Sequence, residues 1–82
     1  MNPLDPEQEF ETHDIYLAAY LKISSCEMIR RRRQGPRIYF VFRNLGGSVM
    51  EMREAYYSGK GQVSANEFAQ EVMNFKQLCF DP

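Results

Sequence analysis

The chain has no tryptophan, a single histidine and only two cysteines among its 82 residues. Each scarcity closes off a class of function. General acid–base or Ser-His chemistry would need His13 in a pocket, beside a nucleophile and an orienting acid. It stands instead between Thr12 and Asp14 at the start of an apolar-periodic stretch, where side chains are commonly exposed. Cys26 and Cys79 are too few for a disulfide framework and do not form a Cys-x-x-Cys pair. They read as reduced thiols of a cytoplasmic protein. With one His they cannot supply the four ligands of a Cys/His zinc site, so no metal and no cofactor is expected. Long apolar runs are missing as well. The aromatic run Ile38–Phe42 is five residues long, whereas a membrane span needs about 20. The acidic, proline-containing start does not read as a signal peptide.

What is present is a charge pattern. Ten Lys plus Arg nearly balance eleven Asp plus Glu, for a net charge of −1. The two signs are segregated along the chain. Residues 1–14 carry Asp5, Glu7, Glu9, Glu11 and Asp14 without a Lys or Arg, and residues 30–43 carry Arg30, Arg31, Arg32, Arg33, Arg37 and Arg43 without an acid. With 44% apolar residues the chain suits a folded globule rather than a disordered one. Its length predicts one domain with a small core.

Residues 1–9 read as a flexible acidic arm, broken by Pro3 and Pro6, and 10–80 as the domain. Phe10 is positioned to tuck back onto it. Thr12 is a candidate helix N-cap with Asp14 in the first turn, giving a helix over 13–22 that Ser24 and Ser25 end. Residues 26–32 and 37–43 form a β-hairpin around Gln34-Gly35-Pro36. Its second arm, Arg37 to Arg43, is β-branched and aromatic, with Ile38, Phe40 and Phe42 sharing one face. The register of the first arm stays open, because a one-residue shift exchanges the faces of Met28 and Ile29. Ser48 and Glu51 have capping-box spacing, predicting a helix over 49–58 that Gly59 closes. Ser64 and Glu67 repeat that spacing. Phe68, Val72, Phe75 and Cys79 then give an amphipathic stripe over 65–79. Val63 could add a very short strand or a hydrophobic staple. The expected fold class is α+β: a two-layer domain of order α-β-β-α-α, with the hairpin packed against three helices. The expected core is Phe40, Phe42, Phe68, Val72 and Phe75 with Leu17 and Leu21.

The stretch Phe10-Glu11-Thr12-His13-Asp14-Ile15-Tyr16-Leu17-Ala18-Ala19-Tyr20-Leu21-Lys22, the strand Ile38-Tyr39-Phe40-Val41-Phe42, then Ala55-Tyr56-Tyr57, Phe68 and Lys76-Gln77-Leu78 resemble a family of small bacterial and phage-associated domains of unknown function. The resemblance covers roughly residues 10–79. It implies a shared fold and no particular activity. The four-arginine run is not part of the family pattern.

Candidate sites are few. Glu51 and Glu67 are explained as capping residues, and Glu54 and Glu71 lie on polar helix faces, so no catalytic or metal-binding carboxylate pair is expected. Gly46-Gly47-Ser48 precedes a helix, but no Lys follows as a phosphate loop requires, and a plain turn is expected. No catalytic residue is assigned, and the chain reads as a non-enzyme. The arginine cluster remains. Arg30, Arg31, Arg32, Arg33 and Arg37 flank the hairpin tip and could contact nucleic acid or another anion, with Tyr39 placed to stack on a base. The favoured reading of the same arginines is a solvated hairpin that guards a strand edge, or pairing with the chain's own acidic arm. The favoured function is a protein-interaction or self-association module with an unidentified protein partner, and surplus aromatics (Tyr16, Tyr20, Tyr57, Phe80) point to a homodimer. The alternative is a nucleic-acid-associated accessory protein that binds phosphates through the arginine hairpin.

Overall fold

The computed structural model describes residues 9–44 and 47–80. Most of the acidic arm (1–8) and Gly46 of the glycine pair lie outside the described residues. The elements run β1 (Glu9–Thr12), α1 (Ile15–Ile23), β2 (Met28–Gln34), β3 (Arg37–Arg43), α2 (Ser48–Tyr57) and α3 (Ala65–Phe80). The class is α+β, and the sheet is antiparallel with order β1-β3-β2. The expected two-stranded hairpin therefore gains a third strand, and the element order becomes β-α-β-β-α-α. Strand β1 takes in Glu9, the last residue of the expected arm, and runs through Thr12, the expected helix N-cap. Its Phe10 and Thr12 pair with Phe42 and Phe40, while Glu9 and Glu11 alternate to the other face. That period-two alternation is the strand signal, compressed into four residues.

Recruiting Thr12 into β1 moves the start of α1. Thr12 Oγ1 accepts from the Asp14 backbone N–H at 3.0 Å, and Asp14 is the N-cap, its Oδ1 accepting from Tyr16 and Leu17 N–H at 3.0 and 3.2 Å. The helix is buried through five consecutive residues, Leu17 to Leu21, so it is apolar all round. Both α2 and α3 pack against it. It ends in a Schellman motif: the Cys26 N–H reaches the Leu21 carbonyl and the Ser25 N–H the Lys22 carbonyl, at 3.0 and 3.1 Å. That motif puts its C′ residue in the left-handed region, and here the residue is Ser25 at φ 71° rather than glycine. Ser25→Gly is accordingly expected to stabilise the domain by about 0.5–1 kcal/mol, read as a raised urea midpoint at unchanged slope.

The hairpin turn follows from its two central residues. Pro36 holds φ negative, which excludes a I′ turn, and Gly35 at φ 61° takes the first position, where II′ geometry requires glycine. The register that sequence left open is settled by an irregularity at Ile29. Met28 faces Phe42 on the helix side, and Arg30 faces Val41 on the open side.

Helix α2 ends as expected, with Gly59 at φ 80° and the Lys60 N–H on the Ala55 carbonyl. Its start differs. Ser48 lies inside the helix, Gly47 is the N-cap, and the Val49 N–H is taken from outside by Asn44 Oδ1 at 3.0 Å. Ser64 does precede α3, with its Oγ 3.5 Å from the Glu67 N–H. Val63 forms no strand and is partly buried against the core.

One core joins the helices to the inward face of the sheet. Leu17, Leu21, Phe40, Phe42, Val49 and Phe75 are fully buried, and Val72 nearly so. Phe40 and Phe75 meet edge to face at 4.7 Å between centroids. Phe68 is only half-buried and lies beside Tyr16. Tyr20, expected among the surplus aromatics, is buried instead. Its ring lies so close to Gly61 that a Cβ there would meet it at 2.8 Å.

Candidate interaction surface

The face of the sheet turned away from the helices is built by alternation along three strands. It presents Glu9 and Glu11 from β1, Tyr39, Val41 and Arg43 from β3, and Arg30 and Arg32 from β2. Arg30 reaches diagonally across β3 to Glu9 in a two-point pair, with N–O distances of 2.9 and 3.2 Å. Arg32 reaches Glu11 in the same way, at 2.7 and 3.0 Å. These forks bring together the two halves of the segregated charge pattern. Val41 lies between them and is 0% exposed, although it belongs to the face without helices. Its cross-strand neighbours are Glu11 and Arg30, residues of a kind whose aliphatic stems can shield apolar surface.

Tyr39 continues the surface. The Arg32 guanidinium lies 4.7 Å from its ring centroid, and the His13 ring meets it edge-on at 5.6 Å. Arg43 pairs with Glu27 at 2.6 Å. Arg32's hydrogen bonds hold the Glu11 carboxyl below its ordinary range against the opposing effect of partial desolvation. A carboxyl depressed in the folded state adds stability above its unfolded pKa, and that stability is lost as pH falls through the folded value. The expected result is a wild-type melting temperature that drops more between pH 6 and pH 3 than that of Glu11→Gln. Equal drops would show that the pair adds no pH-dependent stability in solution.

The five arginines expected to act together are divided. Arg30 and Arg32 are on the open face and engaged with Glu9 and Glu11. Arg31 turns toward the helices and donates to the Leu78 carbonyl at 2.6 Å. It supplies a cation to the last turn of α3, which has no basic residue of its own. Arg33 lies on that same side of β2 and Arg37 at the start of β3, both exposed. Among the described residues neither has an ion-pair partner.

Elsewhere, Asp14 Oδ2 accepts from the Tyr57 hydroxyl at 2.7 Å, which raises the Tyr57 pKa. Burial raises that of the Cys26 thiol. Hollows among the described residues include one lined by Ile23, Asn66, Glu67, Gln70 and Glu71 and another by Ser24, Ser25, Cys26, Glu27, Arg43, Ser48 and Met52. Among the described residues no three His, Cys, Asp or Glu side chains group as metal ligands, and no helix is long and apolar enough to cross a membrane.

Residues 7–81 match the domain of unknown function DUF5659. The chain belongs to the DUF5659 family. Among the described residues, the match spans all six elements of this DUF5659 domain, from β1 through the end of α3. No curated protein and no solved structure matches the chain.

Pairing of the arginines with the chain's own acidic arm was an open alternative in the sequence, and the structure makes it specific, Arg30 with Glu9 and Arg32 with Glu11. The signal was there: acids at 9 and 11 and bases at 30 and 32 share one spacing of two. Only the strand order places one pair over the other.

Proposed function

We propose that this DUF5659 domain is a non-enzymatic protein-interaction module that accepts an extended segment of another chain along the free edge of β2. One observation carries the reading. Strand β2 is seven residues long and stands at the edge of the sheet, joined to β3 on one side only among the described residues. A two-residue turn closes on the hydrogen-bonded pair Gln34 and Arg37, and such pairs alternate along an antiparallel ladder. The backbone N–H and C=O groups of Arg31 and Arg33 therefore point outward, ready to pair. Free Cys26 and Cys79 thiols support a reducing, cytoplasmic setting.

The test is an amide NMR titration with short extended peptides, on wild type and on Arg33→Pro. Proline at 33 removes an outward N–H without cutting the bond ladder to β3. Shifts centred on the Arg31 and Arg33 amides that Arg33→Pro abolishes are the expected result. Shifts elsewhere, or an unaffected variant, would overturn the reading.

Two other readings have specific support. Phe80 is 86% exposed, and Tyr57, Tyr16 and Met73 are also exposed, which favours a homodimer through the helices. Light scattering that gives a monomer mass at high concentration would end that idea. Exposed Arg33 and Arg37 could contact nucleic acid. With those two arginines alone engaged, the slope of log K against log salt on duplex DNA would be about −1.8, against about −3.6 for four engaged arginines.

A further inference from the structure

We infer that the segment β2 accepts is acidic at alternate positions, a Glu-x-Glu or Asp-x-Asp strand whose carboxylates displace Glu9 and Glu11 from Arg30 and Arg32. The inference rests on the strand-addition reading and adds the chemistry of the partner. Four arginines and no acid lie on β2, so a second copy paired along this edge would set arginine against arginine. An acidic strand meets the opposite situation. Its alternate side chains would stand on the open face, one strand spacing from Arg30 and Arg32, about 4.8 Å. Glu9 and Glu11 reach the same guanidinium groups from two spacings away, across β3. The chain's own pairs thus show what these arginines bind, and the incoming strand offers it from closer by. Arg33 and Arg37 near the turn, exposed and without an ion-pair partner among the described residues, add positive charge that steers an acidic segment toward the edge. Nucleic acid is the less favoured occupant. Its phosphates would meet exposed Arg33 and Arg37 without supplying the backbone bonds that Arg31 and Arg33 can take up.

The probe is a labelled, end-blocked peptide Thr-Glu-Val-Glu-Val-Glu-Thr, compared by fluorescence anisotropy with its Gln-for-Glu counterpart and with a short DNA duplex. The acidic peptide is expected to bind about tenfold or more tightly than the Gln peptide, and Arg30→Gln/Arg32→Gln to erase that preference. Glu9→Gln/Glu11→Gln, which frees both arginines, is expected to tighten acidic-peptide binding several-fold. A merely structural role for the pairs would not produce that gain. Equal binding of the two peptides at the β2 edge would overturn the acidic preference and leave strand addition standing. Binding of neither peptide at millimolar concentration would overturn both. Binding of DNA alone would overturn both in favour of the nucleic-acid reading. Should the arginine variant fail to fold, the comparison of the two peptides on wild-type protein still decides the matter.

Discussion

Phe75→Ala is expected to leave the domain largely unfolded at 37 °C. Phe75 is fully buried on α3, and its ring packs edge-on against Phe40 of the central strand, itself fully buried. Removing it deletes apolar burial, opens a cavity and breaks the aromatic contact between sheet and helix. Truncations of this kind cost about 3–5 kcal/mol. An 82-residue domain has little more than that in hand, near the lower end of about 5–15 kcal/mol. Circular dichroism on heating should show a broad, low transition or none. Phe68→Ala, on the same helix but half-buried, should retain a cooperative transition. Comparable behaviour of the two variants would contradict the described core.

Asn44→Ala is expected to cost about 2 kcal/mol, while Ser48→Ala should be close to neutral. Asn44 is 9% exposed, and its Oδ1 takes the N–H of fully buried Val49 at the start of α2. Truncation leaves that donor without its acceptor in a place water does not reach. Ser48 lies within the helix, and no side-chain oxygen of the N-cap residue makes a capping bond. Urea unfolding of the two variants separates these roles. The reverse ranking would restore the capping box that the Ser48 and Glu51 spacing suggests.

That ranking also marks the limit of what was legible in the sequence. The aromatic strand β3, the glycine that closes α2 and the stripe of α3 were readable because each rests on spacing within one segment. The capping spacing at Ser48 is as good as that at Ser64, yet at Ser48 a residue from the preceding loop reaches the backbone first. Similarly, Thr12 and Asp14 both suit a helix start. The choice between them was made by Phe40, which pairs with Thr12 from far along the chain. Strand β1 stayed hidden because four alternating residues carry little signal beside a proline-containing acidic run. The arginine faces were readable from alternation: 30 and 32 on one side, 31 and 33 on the other. Pairing with the acidic arm was an open alternative, but which acids are engaged, and the bond from Arg31 to the Leu78 carbonyl, depend on strand order and on where α3 ends.

The paired forks above Val41 also act as a key for β1. A strand of four residues makes few ladder bonds, and ladder bonds alone do not distinguish one alignment from the next. A slip of one residue would turn Phe10 and Thr12 outward and drive two carboxylates into the core. A slip of two would keep the faces correct but leave one acid without its arginine. Only the observed alignment satisfies both pairs together with the hydrophobic face. Exposed ion pairs add little net stability, so the contribution of these lies in selecting one alignment among several of similar energy. Their partners are 21 residues apart in sequence, and β1 pairs with a strand that ends at Arg43. During synthesis the first strand of the domain therefore has no correct position until the third has emerged.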